Sequence, residues 1–186
     1  MVEKILSVKE KLKIKVIVNK NCYLKVLTDK DIKNNYVNWL NDYEITKYTE
    51  QKKTVHTKAS IKKFVNDKLN SKADLHFGIF FKNEHIGNIK LGPINWEHLN
   101  SEISYFIGEK KYWGQGIASQ VVKSLVMFAF EKIGLEKINA GYYKNNIASK
   151  KVFKKCGFLI EGERINNFSF EEERINSILV GIVKES

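Results

Sequence analysis

Residues 101–119 of this chain have the sequence SEISYFIGEKKYWGQGIAS, and residues 146–158 have the sequence NIASKKVFKKCGF. Glu102, Ser104 and Phe106 alternate with Ile103, Tyr105 and Ile107, which is the period of two expected of a strand with two different faces. Gly114 and Gly116 follow, and two glycines at this spacing let the backbone pass close to a ligand. A helix after such a turn offers unpaired N–H groups and its positive dipole end, which suits a pyrophosphate.

Two helices are predicted downstream of the turn. Apolar residues recur at three- and four-residue spacing from Val122 onward, and Gly134 follows where a helix often ends. A short strand over residues 137–142 separates this helix from a second one. The second helix opens at Asn146 and ends at Gly157, where glycine can adopt the left-handed cap conformation. The order of these parts predicts a parallel β-α-β unit.

The rest of the chain predicts antiparallel strands and two helices before this unit, and one strand after it. In chain order we expect a hairpin from 12–18 to 23–27, a helix capped by Thr28 and Asp31 and ending near Asp42, a helix from Thr57, strands at 76–81 and 85–91, and a closing strand within 170–183. The fold class is therefore α/β, an α+β mixed sheet with an antiparallel meander followed by a parallel β-α-β core.

Length and composition favour a single domain, because 186 residues with 43% hydrophobic residues can build one core. No apolar run is long enough for a signal peptide or a membrane span, so we expect a cytoplasmic protein without membrane contact. The net charge of +11 favours an anionic partner, which could be nucleic acid, an acidic substrate or the phosphates of a cofactor. Several lysines border the glycine turn and the second helix, whereas we interpret the six lysines in residues 1–20 as a solvent-exposed face.

Other ligand-binding classes are less well supported. The turn lacks the third glycine of the dinucleotide fingerprint, and no nucleotide-triphosphate loop occurs. The four histidines show no metal-site spacing, so no metal is expected. A basic nucleic-acid-binding domain remains the non-enzymatic alternative, although no RNA-binding or zinc-finger motif supports specific binding.

The combined motifs resemble the GNAT superfamily of acetyl-CoA-dependent N-acetyltransferases, and within it the ribosomal-protein alanine acetyltransferase branch. The family turn has Arg or Gln, two residues, Gly, one residue, then Gly or Ala; here it starts at Lys111, a departure that keeps a cation. The resemblance also covers the Asn-x-x-Ser element from Asn146 to Ser149. It extends over residues 22–184, which we take as the domain, with residues 1–21 as a lead-in strand of the first hairpin.

The resemblance implies a splayed central sheet that holds acetyl-CoA. The acetyl group passes directly to a primary amine, without a covalent enzyme intermediate. The residues expected to bind the cofactor are Tyr105, Phe106, Ile107, Lys111, Gly114, Gln115, Gly116, Ile117, Ala118, Ser119, Asn146 and Ser149.

Two residues are the catalytic candidates that the resemblance implies. Many family members place a tyrosine seven residues after the motif asparagine, but this chain has Phe153 there. Ser149 is therefore the candidate donor to the departing thiolate, with a local role at the helix start as the alternative. Glu102 is the candidate general base, acting directly or through water, with a structural carboxylate as the alternative.

The acceptor amine is predicted only by class. The resemblance also implies that the end of the first helix lies beside the acceptor. The candidate substrate residues are Trp39, Asn41, Asp42, His98 and Glu102, although Trp39 also suits a core position. Resemblance over residues 86–95 favours an amino sugar or sugar nucleotide. The alternative acceptor is the N-terminal amine of a ribosomal protein. A monomer or homodimer is expected.

Overall fold

The computed structural model describes residues 7–185, and the strands in this part of the chain form one eight-stranded sheet. Its strands are β1 Lys15–Asn19, β2 Cys22–Val26, β3 Leu75–Phe81, β4 Glu84–Asn95, β5 Asn100–Ile107, β6 Lys137–Tyr143, β7 Leu159–Phe170 and β8 Glu173–Val183. Their order is β1-β2-β3-β4-β5-β6-β8-β7. Only β5 and β6 run parallel, and every other neighbouring pair is antiparallel. The predicted mixed α/β fold is confirmed.

Helices cover both faces of the sheet. They are α1 Val8–Lys11, α2 Asn34–Asn41, α3 Tyr43–Thr46, α4 Lys58–Asn70, α5 Ile117–Phe128 and α6 Ile147–Lys155. The last turn after α5, Ala129–Ile133, is a π-helix that ends at Gly134. Within residues 7–185 no helix combines the length and the apolar character needed to cross a bilayer.

Two apolar cores lie on opposite faces of the sheet. The larger core joins the sheet to α5 and α6, where Val122 and Leu125 are fully buried. The smaller core packs α2 and α4 against the other face and includes Tyr36 and Trp39. Each fully buried side chain of this size contributes about 1.5–3 kcal/mol. The sheet is therefore held from both sides, which fixes the position of β5 between the two layers.

Local capping signals explain where the helices begin. The Thr57 side chain accepts from the backbone N–H of Ser60, and the Ser60 side chain accepts from the N–H of Thr57. The Asn146 side chain caps α6 in a similar way by accepting from the backbone N–H of Ser149. Both helix starts were predicted from the sequence, because the capping residues lie within three positions of the groups that they satisfy.

The N-terminal segment differs from its prediction. A strand was expected from residue 12, but a helical turn, Val8–Lys11, comes first and β1 starts only at residue 15. Lys11 is 2% exposed, and its ammonium donates to the carbonyl oxygens of Leu69 (3.1 Å), Asp74 (3.0 Å) and Ser71. The solvent-exposed interpretation is wrong for this lysine, which satisfies backbone carbonyls at the end of α4. The first of the N-terminal lysines lies outside the described residues.

The C-terminal strand arrangement also differs. The predicted closing strand within 170–183 exists as β8, but it lies between β6 and β7 and not at the edge of the sheet. The edge is formed by β7, which was not predicted as a strand. Most side chains of β7 are exposed, so its sequence carries little of the apolar alternation that identifies a half-buried strand.

A buried histidine lies on the sheet face under α4. His76 in β3 is 7% exposed. Burial lowers its pKa from 6.5 to about 3, with smaller contributions in the same direction from the nearby cations Lys90, His85 and Lys68. Asp74 acts in the opposite direction. His76 is therefore neutral in the folded protein at pH values where an unfolded histidine is charged.

We expect the free energy of unfolding to fall as the pH is lowered from 6.5 toward 3. In this range the unfolded chain binds a proton at His76 that the folded chain does not bind, so about 2 kcal/mol is lost by pH 5. Urea unfolding of the wild type and of His76→Gln at pH 7 and pH 5 measures this contribution. The variant should lose less stability than the wild type, whereas His98→Gln, on an exposed turn, should lose as much as the wild type. An equal loss in all three proteins would contradict the assignment.

Candidate active site

The sheet opens between β5 and β6. The two strands pair at only three positions, and the last of these joins Glu102 to Asn139. Beyond that point β5 continues to Ile107 along β4, and β6 continues to Tyr143 along β8. Because backbone groups of an antiparallel strand point alternately to its two sides, half of those on β5 beyond Glu102 face the gap without a strand partner there. The gap is thus lined by an open backbone edge.

The glycine turn lies just before the N-terminus of α5. Gly114 and Gly116 both have φ of +75°, a conformation that L side chains rarely adopt. A Cβ atom built on either residue would meet no atom within 4 Å. The turn therefore encloses free space beside the first N–H groups of α5, and Gly116 is the N-cap of this helix. Such a cradle fits the phosphates of a nucleotide-containing cofactor.

The other residues predicted for the cofactor lie around this turn. Ile117 and Ser119 are buried in the first turn of α5, and Ala118 is half-buried between them. The Gln115 side chain donates to the carbonyl oxygen of Lys111 at 2.7 Å and so braces the turn. These residues shape the cradle mainly through packing and backbone position.

The lysines at the start of the turn have protein partners. The Lys111 ammonium contacts the Glu84 carboxylate at 2.8 Å, and Lys110 contacts Asp42 at 2.7 Å. Lys111 therefore does not present a free cation to the phosphates, as the sequence interpretation supposed. Exposed lysines come instead from α6, which carries Lys150, Lys151, Lys154 and Lys155.

Ser149 lies in the first turn of α6, next to the gap. Its backbone N–H is satisfied by the Asn146 side chain at 3.1 Å. Its hydroxyl lies 3.4 Å from the hydroxyl of Tyr105, which is on β5. The serine oxygen therefore points across to β5 and does not serve as the N-cap acceptor, the role that the local interpretation would give it.

Glu102 lies where the pairing of β5 and β6 ends. Its side chain is exposed, on the sheet face that carries Phe106, whose ring packs against Trp39 at 6.3 Å. A groove of about 580 Å³ adjoins it, lined by residues 93–97, 100–102 and 139. Burial lowers the pKa of nearby Lys90, and the carboxylates of Asp74 and Glu102 act in the opposite direction. An acidic group thus stands at the mouth of the gap.

The predicted substrate residues at the end of α2 have structural partners. Trp39 is 4% exposed, and its indole N–H donates to Glu109 at 3.1 Å. The ring also packs on Gly108, where a Cβ atom would overlap it. Trp39 is therefore a core residue that fixes the end of β5, and the prediction that it contacts substrate directly is not supported by its burial.

Two other predicted substrate residues, Asn41 and Asp42, also have structural partners, and the third, His98, lies on an exposed turn. The Asn41 side chain bonds both backbone groups of His56 at 2.8 Å, and Asp42 caps α3 while it pairs with Lys110. His98 is exposed on the turn between β4 and β5, at the opposite end of β5 from the cradle. These contacts give Asn41 and Asp42 structural roles at the end of α2.

An aromatic cluster at the end of β6 was missed by sequence reasoning. The ring of Tyr143 stacks on Phe168 at 4.0 Å and contacts Tyr48 at 5.7 Å, and Tyr48 stacks on Phe170 at 5.1 Å. The Tyr143 hydroxyl donates to Glu50 at 3.3 Å, and burial together with Glu50 raises its pKa to about 12. The alternating pair Phe168 and Phe170 was the available signal, but its segment was not predicted as a strand.

A family model described as an acetyltransferase (GNAT) domain matches residues 22–159. One relative is the uncharacterised N-acetyltransferase YoaA of Bacillus subtilis. It is 29% identical over 143 residues, which cover 75% of this chain and 80% of that protein. The match to the family model begins at the first residue of β2.

Two solved structures illustrate the similarity of fold. The spermidine N-acetyltransferase from Vibrio cholerae, in complex with CoA and spermine, has a TM-score of 0.80 at 21% sequence identity. The superposition covers 89% of this chain and 96% of the Vibrio cholerae chain. The RimL ribosomal L7/L12 alpha-N-protein acetyltransferase, in complex with coenzyme A, has a TM-score of 0.84 at 15% identity, with coverages of 91% and 98%. At these sequence identities the structural similarity shows a shared fold and nothing more.

Proposed function

Because this chain belongs to the GNAT family of acetyltransferases, we propose that it transfers the acetyl group of acetyl-CoA directly to the primary amine of an amino sugar or sugar nucleotide. The observation that carries the proposal is the opening of the sheet beyond Glu102, between the glycine cradle and Ser149. The protein is an N-acetyltransferase by family, and the identity of the amine is the proposed part.

The cradle and the open strand edge would hold the donor. Gly114, Gly116 and the N-terminus of α5 would bind the phosphates, while the backbone of Tyr105–Ile107 would lie along the gap. Acetyl-CoA supplies an acetyl group activated as a thioester. Backbone N–H groups aimed into the gap would stabilise negative charge that develops on the carbonyl oxygen, because preorganised donors cost no reorganisation during the reaction.

Two side chains would move protons. Glu102 would accept a proton from the acceptor amine, directly or through water, since it stands exposed where the gap begins. Ser149 would donate to the departing sulfur from the opposite side, because its hydroxyl faces the gap and its backbone is already held by Asn146. Neither step requires a covalent bond to the protein.

The aromatic cluster supports the amino-sugar proposal. The rings of Tyr48 and Phe170 are half-buried and stack on each other beside the buried ring of Tyr143 at the end of β6. This aromatic wall can pack against the apolar face of a pyranose while the Tyr48 hydroxyl bonds a polar group. Lys52 lies over Tyr143 and Phe170 at 4.9 and 5.2 Å and gives this wall a positive charge. The aromatic rings would pack against the sugar of an anionic sugar nucleotide, and the Lys52 ammonium would attract its phosphates.

The N-terminal amine of a protein is the second candidate, and carboxylates on the same wall favour it. Glu50 bonds Tyr143 at 3.3 Å, and Glu171 bonds Tyr43 at 3.2 Å. In this proposal the lysines of α6 would face the cofactor phosphates, so the net charge of the chain would not describe the charge around the acceptor. Acids near the acceptor would attract a cationic amine, as in a peptide or a polyamine.

Thiol release from acetyl-CoA with three acceptor sets tests the proposal. The sets are amino-sugar nucleotides, short peptides with free Ala, Ser or Thr N-termini, and spermidine. Release with the sugars alone is the expected result and would make the aromatic wall a sugar site. Release with peptides or spermidine alone would overturn the amino-sugar assignment and favour the carboxylates as the recognition groups.

Glu102→Gln should lower kcat/KM at pH 7 by at least about tenfold, because the amide cannot accept the amine proton. The variant should also show a pH–rate profile different from that of the wild type, because it lacks the proton acceptor. The pH–rate profile of wild type and variant measures both effects. Glu131→Gln, an exposed glutamate on the turn after α5, is the control and should keep the wild-type profile. If Glu102→Gln also keeps it, another group or water is the base.

A further inference from the structure

The phenol of Tyr105 lies next to the hydroxyl of Ser149, the serine that faces the gap. Its hydroxyl donates toward the Ser149 oxygen at 3.4 Å. Its ring meets Phe153 edge-on, with centroids 5.8 Å apart and an interplanar angle of 68°. This separation of the two oxygens is longer than the usual 2.7–2.8 Å for hydroxyl pairs, but such bonds often tighten when ligand binds. The contact links β5 and α6 across the proposed reaction centre.

Strand and helix geometry place these three side chains together. Along β5, Tyr105 points to the face opposite Glu102 and Phe106, which is the face covered by α6. Phe153 follows Ser149 by four residues on α6, so both lie on one side of that helix. The phenylalanine therefore supplies packing where the phenol of Tyr105 supplies the hydroxyl.

We propose that Tyr105 is a positioning residue for Ser149, donating a hydrogen bond to its oxygen so that the serine's own hydrogen is directed into the gap. The proposal rests on the proposed role of Ser149. A serine hydroxyl has one hydrogen and two lone pairs, and a donor on one lone pair limits the directions that remain for the hydrogen. Without Tyr105 the hydroxyl could rotate away from the departing sulfur.

Tyr105 acts as a hydrogen-bond donor and keeps its proton. Burial raises its pKa to about 12, while the bond to Ser149 opposes this shift. At neutral pH the phenol is therefore protonated throughout, and no proton needs to leave it. Its role differs in this respect from that of Ser149, which faces the charge that develops on sulfur.

Tyr105→Phe tests the proposal, because it removes only the hydroxyl and leaves the backbone and the ring packing. We expect kcat to fall about five- to tenfold with the KM for acetyl-CoA unchanged. In a Ser149→Ala background the same substitution should have no further effect, since the group that it positions is already gone. An unchanged kcat for Tyr105→Phe, or an equal fall in both backgrounds, would overturn the proposal.

One further variant separates a positioning role from a structural one. Tyr142→Phe is the matched control, because Tyr142 stacks on the same Phe153 ring at 6.0 Å from β6; it should keep the wild-type kcat. A fall of kcat in Tyr142→Phe as large as that in Tyr105→Phe would assign the effect to packing around Phe153 and would count against the proposal.

The same set of variants distinguishes a failure of the underlying function. Wild-type turnover in Ser149→Ala would remove the serine from the mechanism and overturn the role of Tyr105 with it. A loss in Ser149→Ala combined with no loss in Tyr105→Phe would overturn the inference alone. Each outcome is measured by thiol release with whichever amine the acceptor sets identify.

Discussion

Gly114→Ala weakens acetyl-CoA binding by at least about 30-fold, or about 2 kcal/mol, in the result that we expect. The added methyl group enters the free space of the cradle, where no protein atom lies within 4 Å but where phosphates must approach the backbone. The φ of +75° adds a strain of about 1 kcal/mol that lowers the stability of the fold. Titration calorimetry with acetyl-CoA measures the binding change, and thermal unfolding measures the strain.

Gly134→Ala provides the matched control. Gly134 has a φ of +87°, and a Cβ atom at this residue would likewise meet no atom within 4 Å, so the strain is comparable. It lies at the far end of the helix that starts at Gly116, about 25 Å away at 1.5 Å per residue. Both variants should lose stability, and only Gly114→Ala should lose affinity. Equal affinities would place the cofactor elsewhere.

Ser149→Ala should lower turnover at least tenfold while acetyl-CoA binding survives. The alanine cannot donate to the departing sulfur, whereas the cap of α6 persists because it uses the backbone N–H of residue 149 and the Asn146 side chain. A missing hydrogen bond to a charged group typically costs about 1.5–3 kcal/mol, which corresponds to a tenfold effect or more. Steady-state rates and calorimetry on the same protein preparation measure the two quantities.

Ser149→Thr is the conservative control for this residue, because it keeps a hydroxyl at the same position. Its turnover should exceed that of the alanine variant at equal acetyl-CoA affinity. If Ser149→Ala keeps wild-type turnover, the serine has only the structural place that its position in the first turn of a helix allows. The departing thiolate would then be stabilised by another group.

The parts of the fold that sequence reasoning predicted are those encoded by neighbouring residues. The start of α6 follows from Asn146, which caps a group three residues away, and the end of the π turn follows from Gly134. The glycine turn was also readable, because two glycines at this spacing before a helix predict a backbone conformation that other residues rarely adopt, and both glycines have a positive φ. These signals need no knowledge of distant contacts.

The parts that were missed depend on contacts distant in sequence. For Trp39 the sequence allowed both a core position and a substrate contact, and the choice depends on Gly108, 69 residues later, which leaves room for its ring. Lys111 is neutralised by Glu84 from another element of the sheet. Strand β7 pairs only with β8, so its mostly exposed side chains gave no periodic apolar pattern. Because β7 was not predicted, the aromatic contacts made by Phe168 and Phe170 were not predicted either.

The contact between Tyr105 and Ser149 was also missed, because it joins two residues that are distant in sequence. The alternation along β5 was predicted, but alternation alone does not say which face meets α6. That choice is made by the packing of α5 and α6 against one side of the sheet and of α2 and α4 against the other. The absence of a tyrosine at residue 153 could be noticed from the sequence, whereas the phenol on β5 required the structure.

Product analysis with isotopically labelled acetyl-CoA tests the central claim most directly. The protein is incubated with [13C]acetyl-CoA and the acceptor sets, and free thiol and new amide are counted together. We predict equal amounts of the two, formed by the wild type and reduced at least tenfold in Ser149→Ala. Acetyl-CoA that binds and stabilises the protein without thiol release for any primary amine, or thiol release without amide, would contradict acetyl transfer at this site.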